Sequence, residues 1–423
     1  MQKRLSVLLM LIMLLPIFMY GNTTEASKDE IIKVKLDSYP LTFDIEPRIV
    51  GIRTMVPFRI LSESIGVDVQ WDASTRKIYA KGNGKDVTLT INSKQATVNG
   101  KVVPLDAPAF IDGHRALIPL RFFLETFDAT VDWNNQTREI NITSPQREMY
   151  TFSFYGLTAF QHRQYVPYFN GMAYGWSHIT PDGEFGTVRG ASGIPRDYFW
   201  PQDSPLASTS DIIYSGQKVG GEAFLLVAAF DYNTIHALVH DQVKVTRAIN
   251  DMVSVSKKNN FNGILIDFEG IRNRAEHSAT KVAFTSFIEK LSTEAKKHDL
   301  KLSVALVPPN NAFSGYEYEK LGRITDFIFL MAYDYNPRDP NNPFAHMRPE
   351  PLSLVNQGIE LTLKDIPKEK LVLGVNLVHE TNASIPRVTG LAKRHNLKGV
   401  GFWLLNRLDD EKVSVINRSV KLN

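Results

Sequence analysis

Two carboxylates, Asp267 and Glu269, interrupt the apolar run "NNFNGILIDFEGIRNR" at residues 259–274. They lie two positions apart, at the end of what otherwise reads as a buried strand. Side chains at i and i+2 of a strand point to the same side, so both acids share one face. An unpaired buried carboxylate costs several kcal/mol, and two held close together raise the pKa of one of them. Such a pair suits general acid–base chemistry, in which one group carries a proton while its neighbour stays ionised. The same dyad could ligate magnesium or, more plainly, join an ion-pair network with Arg272 or Arg274. Asp334 ends a second apolar run, "FIFLMAYDY", and Trp403 lies in a third, "VGFWLL". Three acids and an indole converging on one pocket would suit a carbohydrate, with the aromatic face against a sugar ring and the carboxylates handling protons and hydroxyls.

The elements that must position these groups can be read from period. After about Met149, eight short apolar runs occur: "YTFSFYGL", "GMAYGWSHI", "EAFLLVAAF", "FNGILIDFE", "LKLSVALVP", "TDFIFLMAYD", "LVLGVNLV" and "VGFWLLN". Helical patterns separate several of them. In "KVAFTSFIEKLSTEAKKH", Val282, Phe287, Ile288, Leu291 and Ala295 recur at helical spacing, and "VKVTRAINDMVSVSKKNN" behaves likewise. Continuous apolar strands alternating with helices indicate a parallel sheet covered on both faces. Eight of them over residues 147–423 fit an α/β fold of the (β/α)8 TIM-barrel type, whose chemistry sits at the C-terminal ends of the strands. Asp267, Glu269 and Asp334 all fall at such ends.

Residues 27–146 read differently. "RTMVPFRILSESIGVDVQWDASTRKI" from Arg53 and "RALIPLRFFLETFDATVDWNNQTREI" from Arg115 match one another. Arg59 and Arg121, Trp71 and Trp133, and Arg76 and Arg138 each lie 62 residues apart. Self-similarity at a fixed offset marks one supersecondary unit used twice. Each copy predicts a strand, a short helix, a strand carrying the Trp, a polar turn and a further strand, together a smaller α+β domain.

At the N-terminus, "MQKR" followed by "LSVLLMLIMLLPIFMY" has the charge and apolar length of a secretory signal or signal anchor over residues 1–26. A secreted or cell-envelope location is therefore expected. The net charge of +3 is mild, and the absence of any Lys/Arg-rich cluster argues against nucleic acid as a partner. With no cysteine anywhere in the 423 residues, no disulfide framework is available, and each domain must stand on its own core.

Residues 149–420 resemble glycoside hydrolase family 18, the chitinase-like barrels, and within it the bacterial branch that acts on peptidoglycan and spore cortex. The fourth-strand signature DxxDxDxE corresponds to "NGILIDFE": Asp267 and Glu269 match, whereas Asn262 and Leu265 replace the first two acids. The sixth-strand MxYD is complete in Met331, Tyr333 and Asp334, and the eighth-strand Trp is Trp403. Residues 30–145 resemble the stalk-like domain named after the N-terminus of copper amine oxidases. That name implies no copper here, because only His114 falls in the segment and copper wants several nitrogen ligands.

The family resemblance implies a glycosidase acting on N-acetylglucosamine-containing polysaccharide, peptidoglycan in preference to chitin, without a cofactor or metal. It implies Glu269 as general acid and then base. Asp267 would hold the acetamido N–H, Tyr333 the acetamido oxygen, and Asp334 would orient that group. Trp403 would floor the pocket with Met331 beside it. The stalk domain is expected to associate with the cell wall. Leu265 cannot share a proton with Asp267, so an altered pH profile or slower turnover is expected. A non-catalytic glycan-binding wall protein on a degenerate barrel is the alternative. Tyr155 and Trp176 are further candidate sugar platforms, and Phe199 and Trp200 lie in a long loop of the kind that builds binding-site walls. His236 and His240 in "HALVH" imitate zinc-helix spacing but lack the accompanying Glu and a third ligand.

Overall fold

The computed structural model describes residues 32–189, 198–342 and 344–423. The expected signal segment, 1–26, lies outside the described residues. No helix among the described residues is long and apolar enough to cross a membrane.

The eight runs form eight parallel strands: β1 (Tyr150–Tyr155), β2 (Gly171–Ile179), β3 (Glu222–Ala229), β4 (Gly263–Phe268), β5 (Lys301–Leu306), β6 (Phe327–Leu330), β7 (Leu371–Asn376) and β8 (Gly399–Trp403). Each pairs in parallel with the next, and β1 pairs with both β2 and β8, so the sheet closes into a barrel. Inward-facing aromatic rings fill its axis. Phe152, Phe154, Phe224, Phe327 and Phe329 meet largely edge to face, a favoured geometry for aromatic quadrupoles.

Helices cover the outside. One spans Gln242–Lys258, opened by the Asp241 side chain, which accepts from the backbone N–H groups of Val243 and Lys244. Another spans Ser278–Lys296 and buries Phe284, Phe287, Ile288, Leu291 and Ala295. Val282 is 54% exposed and does not belong to the buried stripe, contrary to its sequence spacing. Phe284 takes its place on that face.

In the N-terminal domain, Arg53–Pro57, Phe58–Ser64, Asp68–Asp72 and Lys77–Gly82 form strand, helix, strand, strand. Arg115–Pro119, Leu120–Thr126, Thr130–Asn134 and Glu139–Thr143 do the same. The outer strands belong to different sheets, and both helices bury their apolar face in one core with Phe123, Phe127, Ile78 and Leu89.

This domain docks onto the barrel beside the helix Ile385–Arg394. Arg394 donates to the Pro40 carbonyl at 2.7 Å, and buried Lys393 reaches the Pro145 carbonyl at 3.3 Å. Arg147 in the connection donates to the Lys393 carbonyl at 2.8 Å and to Asn396 Oδ1 at 2.6 Å. Gly390 faces Asp37 with no room for a side chain.

Candidate active site

A cavity of about 130 Å³ opens at the C-terminal ends of the strands. Its wall includes Asp267, Glu269, Met331, Tyr333, Asp334 and Trp403. Every residue of the DxE, MxYD and final-strand Trp motifs therefore converges there.

β4 delivers the dyad. It pairs with β3 in the register Ala228 to Asp267 and with β5 in the register Leu265 to Ser303. Its end is braced from three sides. The Glu269 N–H donates to the Ala229 carbonyl at 2.7 Å, and the Tyr316 hydroxyl donates to the Phe268 carbonyl at 2.5 Å. Gly270 then turns at φ +143°, where a Cβ would sit 2.7 Å from the Tyr232 nitrogen. Only glycine suits both that backbone angle and that approach.

Asp267 is 4% exposed, and its Oδ1 has no hydrogen-bond partner among the described residues. Burial, reinforced by the neighbouring Glu269, holds its carboxyl well above the usual range. Leu265, one step deeper on the same face, is fully buried and apolar, so nothing beneath Asp267 donates to it either. Glu269 is half-buried. Burial first, and the charge of Asp334 second, push its carboxyl up to about 7. Arg272 lies 4.2 Å from the Phe313 ring centroid and Arg274 contacts His277 and Glu276, so no arginine network accounts for the dyad.

β6 stops at Leu330, and the MxYD residues follow it as irregular chain. Burial and the nearby carboxylates keep the Tyr333 hydroxyl protonated, and hence a donor. Asp334 takes the left-handed conformation, φ +62°, and leaves its side chain 63% exposed at the mouth. Partial burial raises its carboxyl, and His379 opposes that shift. At the far wall the Trp403 carbonyl accepts from the Leu377 N–H at 2.6 Å, tying β8 to the chain after β7.

The other candidates fall elsewhere. Trp176 is fully buried, packed against Tyr155, Tyr174 and Trp200, and has no face free for a sugar. Tyr155 is 2% exposed, and burial pushes its hydroxyl up to about 12. It borders an adjoining cavity that shares Phe154, Tyr198 and Trp403 with the first. Trp200 packs on Trp176 and Phe261, and Phe199 lies against Arg189. From that loop it is Tyr198 that reaches the cavity, next to Phe230. His236 and His240 both bond the Thr280 hydroxyl, at 3.0 and 3.1 Å, within a stack that includes Tyr232 and His277. Sequence reading also missed Asn376 on the cavity wall, and Glu350 and His379 behind Asp334.

Residues 218–386 match the model of glycosyl hydrolases family 18, and residues 35–142 match that of the copper amine oxidase N-terminal domain. The chain is 27% identical over 158 residues to a cortical fragment-lytic enzyme of Bacillus subtilis (strain 168), covering 35% of this chain and 34% of that protein. It is 30% identical over 145 residues to an endochitinase of Brugia malayi, covering 31% of this chain and 29% of that one. The chain spans under half the length of the curated relatives it matches. The crystal structure of the Bacillus megaterium QM B1551 spore cortex-lytic enzyme SleL shares the fold, with a TM-score of 0.51 at 17% identity, covering 75% of this chain and 80% of that one. The barrel thus carries a match to the glycosyl hydrolases family 18, and the domain ahead of it a match to the copper amine oxidase N-terminal domain.

Proposed function

We propose that the protein is an extracytoplasmic glycosidase that cleaves β-linked N-acetylglucosamine polymers, with peptidoglycan as its preferred substrate, and that its N-terminal domain associates with the wall. The observation that carries this reading is the unpartnered, buried Oδ1 of Asp267 in the wall of the cavity. A buried acceptor without a donor is costly, and the N–H of a sugar acetamido group supplies the missing donor. Tyr333, protonated and on the same wall, donates to the acetamido oxygen, and the Trp403 ring packs beneath the sugar.

The reaction follows from the proton affinities. Glu269 holds its proton up to about pH 7 and delivers it to the glycosidic oxygen as the bond breaks. The acetamido oxygen, steadied by Asp267 and Tyr333, closes on the anomeric carbon from the opposite face to give an oxazolinium ion. This makes the family an exception to the two-carboxylate scheme. Glu269, now ionised, takes a proton from the water that opens the ring, so the anomeric configuration is retained. Asp267 accepts the acetamido N–H as that group becomes cationic and holds it against the anomeric carbon inside a low-dielectric pocket.

Proton NMR of the first product from a chitin tetramer tests this mechanism. The β anomer is expected to appear first, and a thiazoline analogue of the cyclised sugar is expected to inhibit. The α anomer appearing first would contradict substrate assistance. Binding without any hydrolysis would favour a wall-binding barrel instead.

A further inference from the structure

Behind Asp334 lies a polar cluster that the mechanism above does not use. Glu350 comes from the segment leading into the helix Leu352–Thr362, and its side chain is 2% exposed. Its two oxygens accept the backbone N–H groups of Asp334 and Tyr335, at 3.0 and 3.1 Å. His379, just past β7, places Nδ1 2.8 Å from Glu350 Oε1 and 3.5 Å from Asp334 Oδ1. The Glu350 N–H in turn donates to Glu380 Oε1 at 2.9 Å. Three separate elements thus meet on one turn of backbone.

We propose that Glu350 and His379 are positioning residues for Asp334, fixing its left-handed turn and holding its carboxylate on the cavity wall that it shares with Glu269. This deepens, and rests on, the glycosidase reading. A non-glycine residue at φ +62° carries a cost in backbone energy and persists only where its surroundings over-determine it. Two charge-assisted N–H bonds to one buried carboxylate supply that determination.

The pair also transmits charge. The groups facing Asp334 are His379, Glu350, Arg338 and His346, and those facing His379 are Glu350, Asp334, Glu380 and, edge-on at 5.7 Å, the His346 ring. The bond to Glu350, with smaller help from Asp334 and against the effect of burial, raises the proton affinity of His379 and so favours its cationic form. The cation favours the charged form of Asp334 against the burial that raises its carboxyl, and the Asp334 charge is the one that acts on Glu269. His379 acts on the acid only through Asp334, and it touches no cavity-lining atom of Glu269.

The test uses the full chain with His379→Gln and, separately, Glu350→Gln. Two readouts are needed: the pH dependence of kcat/KM on chitin tetramer, and the titration of Glu269 followed by carbon NMR without substrate. His379→Gln is expected to lower the Glu269 titration and the alkaline limb of the rate profile together by ~1 pH unit, because Asp334 loses the cation that favours its charge. Glu350→Gln, whose own charge opposes ionised Asp334, is instead expected to act on kcat by freeing the Asp334 turn. The expected kcat is about tenfold lower, with KM within about twofold. Profiles that superimpose on the wild type would overturn the proposal. Should Glu350→Gln fail to fold, His379→Gln decides alone, because His379 contributes only its side chain to the cluster. The NMR titration needs no turnover. An inactive wild type would therefore overturn the glycosidase reading, while the titration still judges the positioning pair.

Discussion

At the scale of single residues, the site keeps two carboxyl groups in surroundings that favour their neutral forms. That has a consequence for stability. The folded state raises the Glu269 carboxyl from its ordinary 4.5 to about 7, so the folded protein binds a proton that the unfolded chain has already released. Stability is unaffected by this group below about pH 4.5, falls as pH rises between the two values, and stays reduced above about 7. Glu269→Gln removes the ionisation while keeping the shape. The variant should be more stable than wild type at pH 8, by roughly 1–3 kcal/mol, and equally stable at pH 4. Urea unfolding at the two pH values checks this, and equal midpoints at pH 8 would show that Glu269 is not held neutral by burial. Asp267 is likewise held well above the usual carboxylate range, and Leu265 beneath it offers no donor.

At the scale of elements, all eight barrel strands were legible as apolar runs, and the dyad as two charges where such a run should have stayed apolar. What the runs could not show was where the strands end. β6 stops at Leu330, four residues short of Asp334, because the chain must turn left-handed at Asp334 to meet Glu350. Glu350 and His379 carry no local signal. One precedes a helix and the other follows a strand, and only barrel closure brings them together. Trp176 misled for a related reason: an aromatic ring near a strand end looks like a platform until a second layer, here Trp200, covers it. Barrel closure itself leans on glycine. At Gly399 on β8 a Cβ would overlap the Tyr150 carbonyl of β1. Gly399→Ala should therefore strain the β1–β8 seam and cost about 1–3 kcal/mol or more. A fall in thermal midpoint and activity together is the expected outcome, and an unchanged midpoint would mean the seam is not tight.

At the scale of the molecule, a domain of three small sheets is fastened to the side of a barrel, away from the mouth that holds the dyad. The fastening is polar: Lys393 is buried and Arg147 half-buried, and burial lowers the proton affinity of both. Gly390 packs so close to Asp37 that any side chain would wedge the domains apart. Gly390→Leu should increase the radius of gyration measured by small-angle X-ray scattering, yet leave hydrolysis of a soluble oligomer within about twofold, since no cavity residue touches the seam. A compact variant that had lost activity would tie the N-terminal domain to catalysis.

One measurement bears most directly on the dyad as a glycan-cleaving device: reducing-end release from purified peptidoglycan and from chitin oligomers, comparing wild type with Glu269→Gln between pH 4 and 8. Release by the wild type is expected to decline as pH rises through about 7, with peptidoglycan the better substrate, and to fall by ~10²–10⁴-fold in the variant at every pH. Equal release by both proteins would show that Glu269 is not the acid. No release from either substrate at any pH, with binding retained, would show a barrel that grips glycan without cutting it.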